Sequence, residues 1–181
     1  MNIYGKKVYL RAMEPEDMEM YRSMANDPEI ERLLGGWSFP ISVREQMSWY
    51  ENSVNDKKNL RFTIVIRETD KIVGMVNLVN IDWKNGSAFQ GIRMSGEKGK
   101  GYGTDAVMAL MEYAFDELRL VRLDTTIIEY NLISQKLYKK CGWDIEGVKK
   151  KAIYREGKHY DLFVAGITND EYYVIKKSLG Y

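Results

Sequence analysis

Gly99, Gly101 and Gly103 stand at alternate positions between a β-patterned run that ends at Met94 and a helical stripe of Val107, Leu110, Met111, Ala114 and Leu118. The apolar period changes from two to 3.6 across this glycine loop, which makes it a strand-to-helix connection and requires a mixed α/β fold around it. Without side chains in the way, the loop backbone can approach a ligand closely and turn its N–H groups outward as anion donors. The positive end of the following helix dipole adds to that attraction, and Lys98 and Lys100 bring charge beside it. Taken alone, such a run reads equally well as a solvated surface turn.

A second motif changes the balance. After a short strand from Val121 to Ile128 comes Asn131-Leu132-Ile133-Ser134-Gln135-Lys136-Leu137-Tyr138-Lys139-Lys140-Cys141-Gly142-Trp143. The spacing predicts a short helix over Leu132–Lys140, ended by Gly142. Asn131 and Tyr138 are then two turns apart on nearly the same side, which suits a ligand lying along the helix. Asn131 also reads as a helix N-cap and Tyr138 as a packing residue, and either role can coexist with ligand contact. Lys136 and Lys139 read as a solvated face.

The rest of the pattern completes the α/β reading. Lys7–Ala12 alternates as a strand, and Glu14-Pro15-Glu16-Asp17 opens a helix to about Asn26. Ser42 caps a second helix carrying Met47, Trp49, Tyr50 and Val54. Strands follow over Phe62–Ile66, Ile72–Ile81 and a run to Met94, with turns at Glu68-Thr69-Asp70 and Asn85-Gly86. Asp144–Tyr154 and His159–Ile167 form a final antiparallel pair. At 181 residues, 45% hydrophobic and with no linker, residues 1–181 read as one domain.

Composition removes several classes of function. A net charge of +1 argues against a nucleic-acid binder driven by bulk electrostatics. No signal-peptide region follows Met1 and no apolar run is long enough to span a bilayer, so no membrane partner and a cytoplasmic location are expected. The single Cys141 excludes an internal disulfide, and one cysteine with one histidine cannot supply the usual zinc ligand sets. No metal is expected.

Both motifs together resemble the GNAT superfamily of acetyl-coenzyme A-dependent N-acetyltransferases, with its Arg/Gln-x-x-Gly-x-Gly/Ala loop and its later Asn-x-x-Ala/Ser-x-x-Leu-Tyr-x-Lys-x-Gly-Phe segment. Val8-Tyr9-Leu10-Arg11-Ala12 and Tyr154-Arg155-Glu156-Gly157-Lys158 resemble the branch holding ribosomal-protein N-terminal and spermidine N-acetyltransferases. The resemblance implies a twisted, mainly antiparallel mixed sheet flanked by helices. That sheet is splayed between its fourth and fifth strands, here about Ala88–Met94 and Val121–Ile128, so that coenzyme A enters the opening.

Carried over by position, the resemblance implies that Lys98, Gly99, Lys100, Gly101, Tyr102, Gly103 and Thr104 hold the pyrophosphate. The backbone of Ile92, Arg93 and Met94 pairs with the pantetheine amides like an added strand, and one N–H there polarises the thioester carbonyl. Asn131, Ser134 and Lys140 contact the cofactor, and Tyr138 gives a proton to the departing thiolate. A phenol of pKa about 10 and a thiol near 8.5 differ by about 1.5 units, a gap readily bridged within a hydrogen bond. The co-substrate implied is acetyl-coenzyme A. The partner is a small-molecule or peptide amine, with a homodimer as a further candidate because dimers are common in that family.

Two departures matter. Lys98 replaces the usual arginine or glutamine and loses its planar fork. Ser87-Ala88-Phe89-Gln90 lacks the glutamate that serves many relatives as general base, which leaves a water chain, a backbone carbonyl, or Glu31, Glu45 or Glu51 as candidates. His159 reads as an ordinary hairpin residue. Trp37, Phe39, Tyr50 and Trp83 would flank the acceptor, while Gly35-Gly36 stands where acidic residues would suit a polycation. Polyamine, protein N-terminus, amino sugar and antibiotic amine all remain open. A non-catalytic acyl-coenzyme A sensor is the alternative. A dinucleotide loop with Asp124 as ribose acid fails on spacing.

Overall fold

β-Branched and aromatic residues dominate the alternating runs, and the computed structural model, which describes residues 1–35, 39–96 and 99–181, joins them in one eight-stranded sheet. The strands are β1 (Ile3–Tyr4), β2 (Val8–Ala12), β3 (Leu60–Ile66), β4 (Ile72–Asp82), β5 (Ser87–Met94), β6 (Arg122–Ile128), β7 (Asp144–Arg155) and β8 (Lys158–Thr168). Their order is β1-β2-β3-β4-β5-β6-β8-β7, and every neighbouring pair is antiparallel except β5 and β6. The mixed fold, the mainly antiparallel sheet and its flanking helices stand as expected.

The helices are α1 (Met18–Ala25), α2 (Pro28–Arg32), α3 (Val43–Val54), α4 (Tyr102–Glu112), α5 (Leu132–Lys140) and α6 (Asn169–Ser178). Ser42 caps α3 through a reciprocal box with Glu45, and α4 continues as a wider π turn over Tyr113–Glu117, carrying the stripe to Leu118. Three elements lie beyond the sequence reading: β1, α2 and α6. The last was signalled by Thr168 and Glu171, which form a capping box.

The core lies between the sheet and α4. Every residue of α4 from Asp105 to Met111 is buried, against Leu10, Ile64, Val76 and Leu78 of the sheet. Full burial of Met108, Leu110 and Met111 stabilises the fold by about 1.5–3 kcal/mol each. On the opposite face, Met18, Tyr21 and Met24 of α1 pack with Met75 of β4. Buried Asp17 fixes α1 there, accepting from Arg11 at 2.7 and 2.8 Å, from the Thr63 hydroxyl at 2.7 Å and from the Glu14 N–H at 3.0 Å.

One carboxylate ties the glycine loop to the chain's two ends. Asp105, in the first turn of α4, accepts from the N–H groups of Lys6, Lys7 and Val8 at 3.0, 2.7 and 2.9 Å, and from the Tyr181 hydroxyl at 2.8 Å. A Cβ on Gly5 would collide with that carboxylate, so the turn before β2 needs a glycine. Among the described residues no helix is long and apolar enough to cross a membrane, and no cluster of three His, Cys, Asp or Glu residues is set to hold a metal.

Candidate active site

The sheet forks between β5 and β6. They pair in parallel only at Ser87–Arg122, Ala88–Leu123 and Phe89–Asp124, although β5 continues to Met94 and β6 to Ile128. Past Phe89 one edge of β5 therefore has no strand beside it. The Ser95 N–H donates to the Val73 carbonyl across β4, at 2.8 Å. Main-chain groups alternate sides along a strand, so Arg93 and Gly91 turn theirs to β4 while Met94, Ile92 and Gln90 turn theirs to the opening. Of the three residues expected to offer backbone there, Ile92 and Met94 do. Arg93 instead spends its main chain on β4.

At the open end of the fork lies the glycine loop. Gly99 and Gly101 are left-handed, at φ 82° and 83°, a conformation that costs other residues about 1–2 kcal/mol. Gly101 is the N-cap of α4 and has no side chain to cap it, and the first helical bond runs from the Asp105 N–H to the Gly101 carbonyl at 3.0 Å. The N–H groups of Tyr102, Gly103 and Thr104 thus have no partner within the helix, the arrangement that suits an anion. The Lys7 ammonium holds the loop from behind, donating to the Lys100 carbonyl at 2.9 Å. A cleft of about 580 Å³ adjoins it, lined by Lys6, Lys7, Arg67 and Lys100 among others. Lys98 lies outside the described residues.

The floor of the fork is polar where its surroundings are apolar. α5 begins at buried Asn131, whose Oδ1 accepts from the Ser134 N–H at 3.0 Å and whose amide donates to the Leu33 carbonyl at 3.0 Å. The N-cap role is real, and the same side chain tethers the segment after α2. Tyr138 is buried, edge-on to Trp143 with ring centroids 4.9 Å apart. Burial pushes its phenol up to about 12, with the Thr125 hydroxyl offsetting part of the rise. Cys141, one turn on, contacts the Thr104 carbonyl at 3.9 Å and so sets α5 against the start of α4. Ser134 is half-buried, while Lys140, Lys136 and Lys139 are exposed.

Two residues of the floor were not singled out by sequence reasoning. Gln90 is fully buried, yet neither its Nε2 nor its Oε1 has a hydrogen-bond partner among the described residues. Register sets it at the level of buried Thr125, one residue past the last β5–β6 pair and on the same face. A single polar residue interrupts each apolar alternation at one level, in Ala88-Gln90-Ile92 and in Leu123-Thr125-Ile127, and that coincidence is the signal available in the sequence. This orphaned amide lies at the level where β5 and β6 part, closed off from the opening. Gln90→Leu should raise the unfolding free energy by about 1–2 kcal/mol, because the orphaned amide is removed. Chemical denaturation reads the effect, and a fall in stability would refute the assignment.

A second cavity, of about 590 Å³, opens on the other face of β4 and β5, beneath α1 and α3. Tyr21, Trp49, Leu34 and Ile41 line it, with Met75, Asn77, Gly91 and Arg93 from the sheet. Its roof is strapped to the β6–β8 half. Tyr130 donates to the Arg32 carbonyl at 2.6 Å, Asn131 to Leu33, and Arg155 to the Leu34 carbonyl at 3.0 Å and to Glu31 at 3.1 Å. Of the aromatics expected to flank the acceptor, Tyr50 is half-buried on α3. Trp83 is exposed on the β4–β5 turn and Phe39 is exposed, whereas Trp49 and Tyr21 line the cavity; Trp37 and Gly36 lie outside the described residues.

The base candidates fare poorly as bases. Glu45 lines the cavity, but its Oε2 accepts from the Ser42 N–H at 2.8 Å and hydroxyl at 2.6 Å, and those bonds hold its pKa below the usual range. Glu31 is paired with Arg155, and Glu51 is exposed on α3. His159 is exposed and stacks against Tyr154, as a hairpin residue. Asp124 is bound to Arg122 within β6, at 2.6 Å, far from any ribose-binding role.

An open strand edge, a left-handed glycine loop and a buried phenol meet at one fork of a mixed sheet. A family model for the acetyltransferase (GNAT) domain matches residues 7–144. The chain belongs to the GNAT acetyltransferase family and is, with it, an enzyme of acetyl-coenzyme A-dependent acetyl transfer. It is 31% identical over 169 residues to the SPbeta prophage-derived uncharacterized N-acetyltransferase YokL of Bacillus subtilis, covering 93% of each chain. It is 26% identical over 174 residues to spermidine N(1)-acetyltransferase of Escherichia coli, covering 96% of this chain and 92% of that one. In fold it is similar to spermidine N-acetyltransferase from Vibrio cholerae in complex with CoA and spermine, with a TM-score of 0.86 at 23% identity over 92% of this chain and 98% of that one.

Proposed function

We propose that this single-domain chain transfers acetyl from acetyl-coenzyme A to a primary amine by direct attack, with both substrates bound at the fork and Tyr138 serving the leaving thiolate. The observation that carries this reading is the meeting of three features at one opening: the free edge of Ile92 and Met94, the left-handed glycines of the loop, and the buried Tyr138–Thr125–Gln90 floor. Acetyl-coenzyme A supplies the activated acetyl group. The N–H groups of Tyr102, Gly103 and Thr104 hold its phosphates, with Lys98, Lys100 and exposed Lys140 adding charge. The main chain of Ile92 and Met94 aligns its amide-bearing arm, and Asn131 and Ser134 line the start of α5 beside it.

Burial keeps the Tyr138 proton in place for the leaving sulfur. The phenol at about 12 is more basic than the ordinary value, but burial also lifts the neighbouring Cys141 thiol to about 12. Among the described residues no carboxylate in the cavity is poised as a base, so the amine reacts from its neutral fraction. Below the pKa of the acceptor amine the turnover should rise about tenfold per pH unit, with no descending limb below about pH 11, because Tyr138 loses its proton only near 12. A plateau near pH 7 would instead reveal a dedicated base.

The chain's compartment is taken to be the cytoplasm, in keeping with a buried free thiol at Cys141. Incubating the protein with acetyl-coenzyme A and a panel of polyamines, peptides, amino sugars and aminoglycosides, while following thiol release, tests the function. Release that depends on an acceptor supports it. Binding of acetyl-coenzyme A without release from any amine would make the chain a sensor.

A further inference from the structure

We infer that the acceptor is a primary amine carrying an anionic group on an apolar body, and that the Arg93 guanidinium in the cavity beneath α1 and α3 is the group that binds the anion. This rests on the reading that the cavity receives the amine. Arg93 lies opposite Met75 on β4, and Asn77 and Gly91 form the next pair, all four lining the same cavity. Side chains alternate along a strand, so Arg93 faces away from the α4 core into this space.

Among the described residues no hydrogen bond or ion pair reaches the Arg93 side chain, and burial alone acts on it, lowering its pKa from the ordinary value. A guanidinium carries five N–H donors, and leaving a partly buried one unmatched is costly unless a ligand completes it. The other charges in the cavity do not fill that role. Arg61 has its own carboxylate, Asp56 at 3.6 Å, and lies 5.5 Å from the Trp49 ring centroid. Glu45, the one carboxylate among the described residues lining the cavity, is spent on the Ser42 cap.

The cavity therefore holds one guanidinium that no carboxylate among the described residues reaches. A polycation such as spermidine offers it no partner, whereas an amine bearing a carboxylate or phosphate does. Leu34, Ile41, Trp49 and Val79 offer an apolar wall for the body between the two groups.

Matched acceptors test this with the purified protein and acetyl-coenzyme A: phenylalanine against phenylalaninamide, glucosamine 6-phosphate against glucosamine, and spermidine. In at least one pair the anionic member should exceed its uncharged partner about 30-fold or more in kcat/KM, chiefly through KM. Whichever pair shows this identifies carboxylate or phosphate. Arg93→Met should bring that ratio within about threefold, and Arg93→Lys should restore part of it. Equal or better turnover of the uncharged members or of spermidine overturns the inference while leaving the acetyltransferase intact, as does an unchanged ratio in Arg93→Met. If no amine releases thiol, the enzymatic reading fails, and calorimetry on coenzyme A-loaded protein decides the anion site separately. Binding of N-acetylphenylalanine but not of its amide supports the site, and equal or absent binding removes it.

Discussion

Replacing Tyr138 with phenylalanine should lower turnover about 100-fold or more and leave acetyl-coenzyme A affinity within about twofold. The ring stays edge-on to Trp143 in the variant, and only the hydroxyl is lost. Stability should change by no more than about 1 kcal/mol, since the single polar contact at stake is with Thr125. The thiolate then leaves without a donor, so the loss falls on kcat and kcat/KM alike. Steady-state rates with calorimetric cofactor binding check this, and turnover equal to that of the parent protein would remove Tyr138 from the chemistry.

The largest effect on folding is expected at Asp105. Asp105→Ala orphans the N–H groups of Lys6, Lys7 and Val8 and the Tyr181 hydroxyl in one stroke. Unpaired buried donors cost about 1–3 kcal/mol each, less whatever water recovers, and a net loss of about 3–5 kcal/mol follows. For a chain of this size that is a fall in Tm of about 10 °C. Lys7, which braces the Lys100 carbonyl, moves with the same segment, so acetyl-coenzyme A binding should weaken about tenfold as well. A melting temperature within about 2 °C of the parent would show that Asp105 is not the tie described above. Asp105→Asn, which keeps the shape and one acceptor oxygen, should fall between the two.

Much of this was legible because local patterns agreed with the global fold. The helix over Leu132–Lys140 appears with those bounds, since Asn131 caps it and Gly142 ends it with φ 87°. The capping box of Ser42 and Glu45 fixed the start of α3 in the same way. What escaped was long-range. No local signal sends Asp105 across 97 residues to Val8, or turns the main chain of Arg93 to β4 and its side chain into a cavity. Gln90 registered only as a missing glutamate, because an unpartnered buried amide is a property of the packed interior. Exposure separates Trp83 from Trp49, and spacing along the chain cannot.

The fork also divides labour. The glycine loop and the Arg93 guanidinium belong to β1–β5 with α4, while Asn131, Tyr138 and the straps over the roof belong to β6–β8 with α5. Neither half owns a complete site. Three rungs of parallel pairing between Ser87 and Phe89, together with the straps to Arg32, Leu33 and Leu34, hold the two inventories in register. Catalytic competence is in that sense a property of a seam, and residues that never touch either substrate govern it by keeping the seam closed at one end and parted at the other.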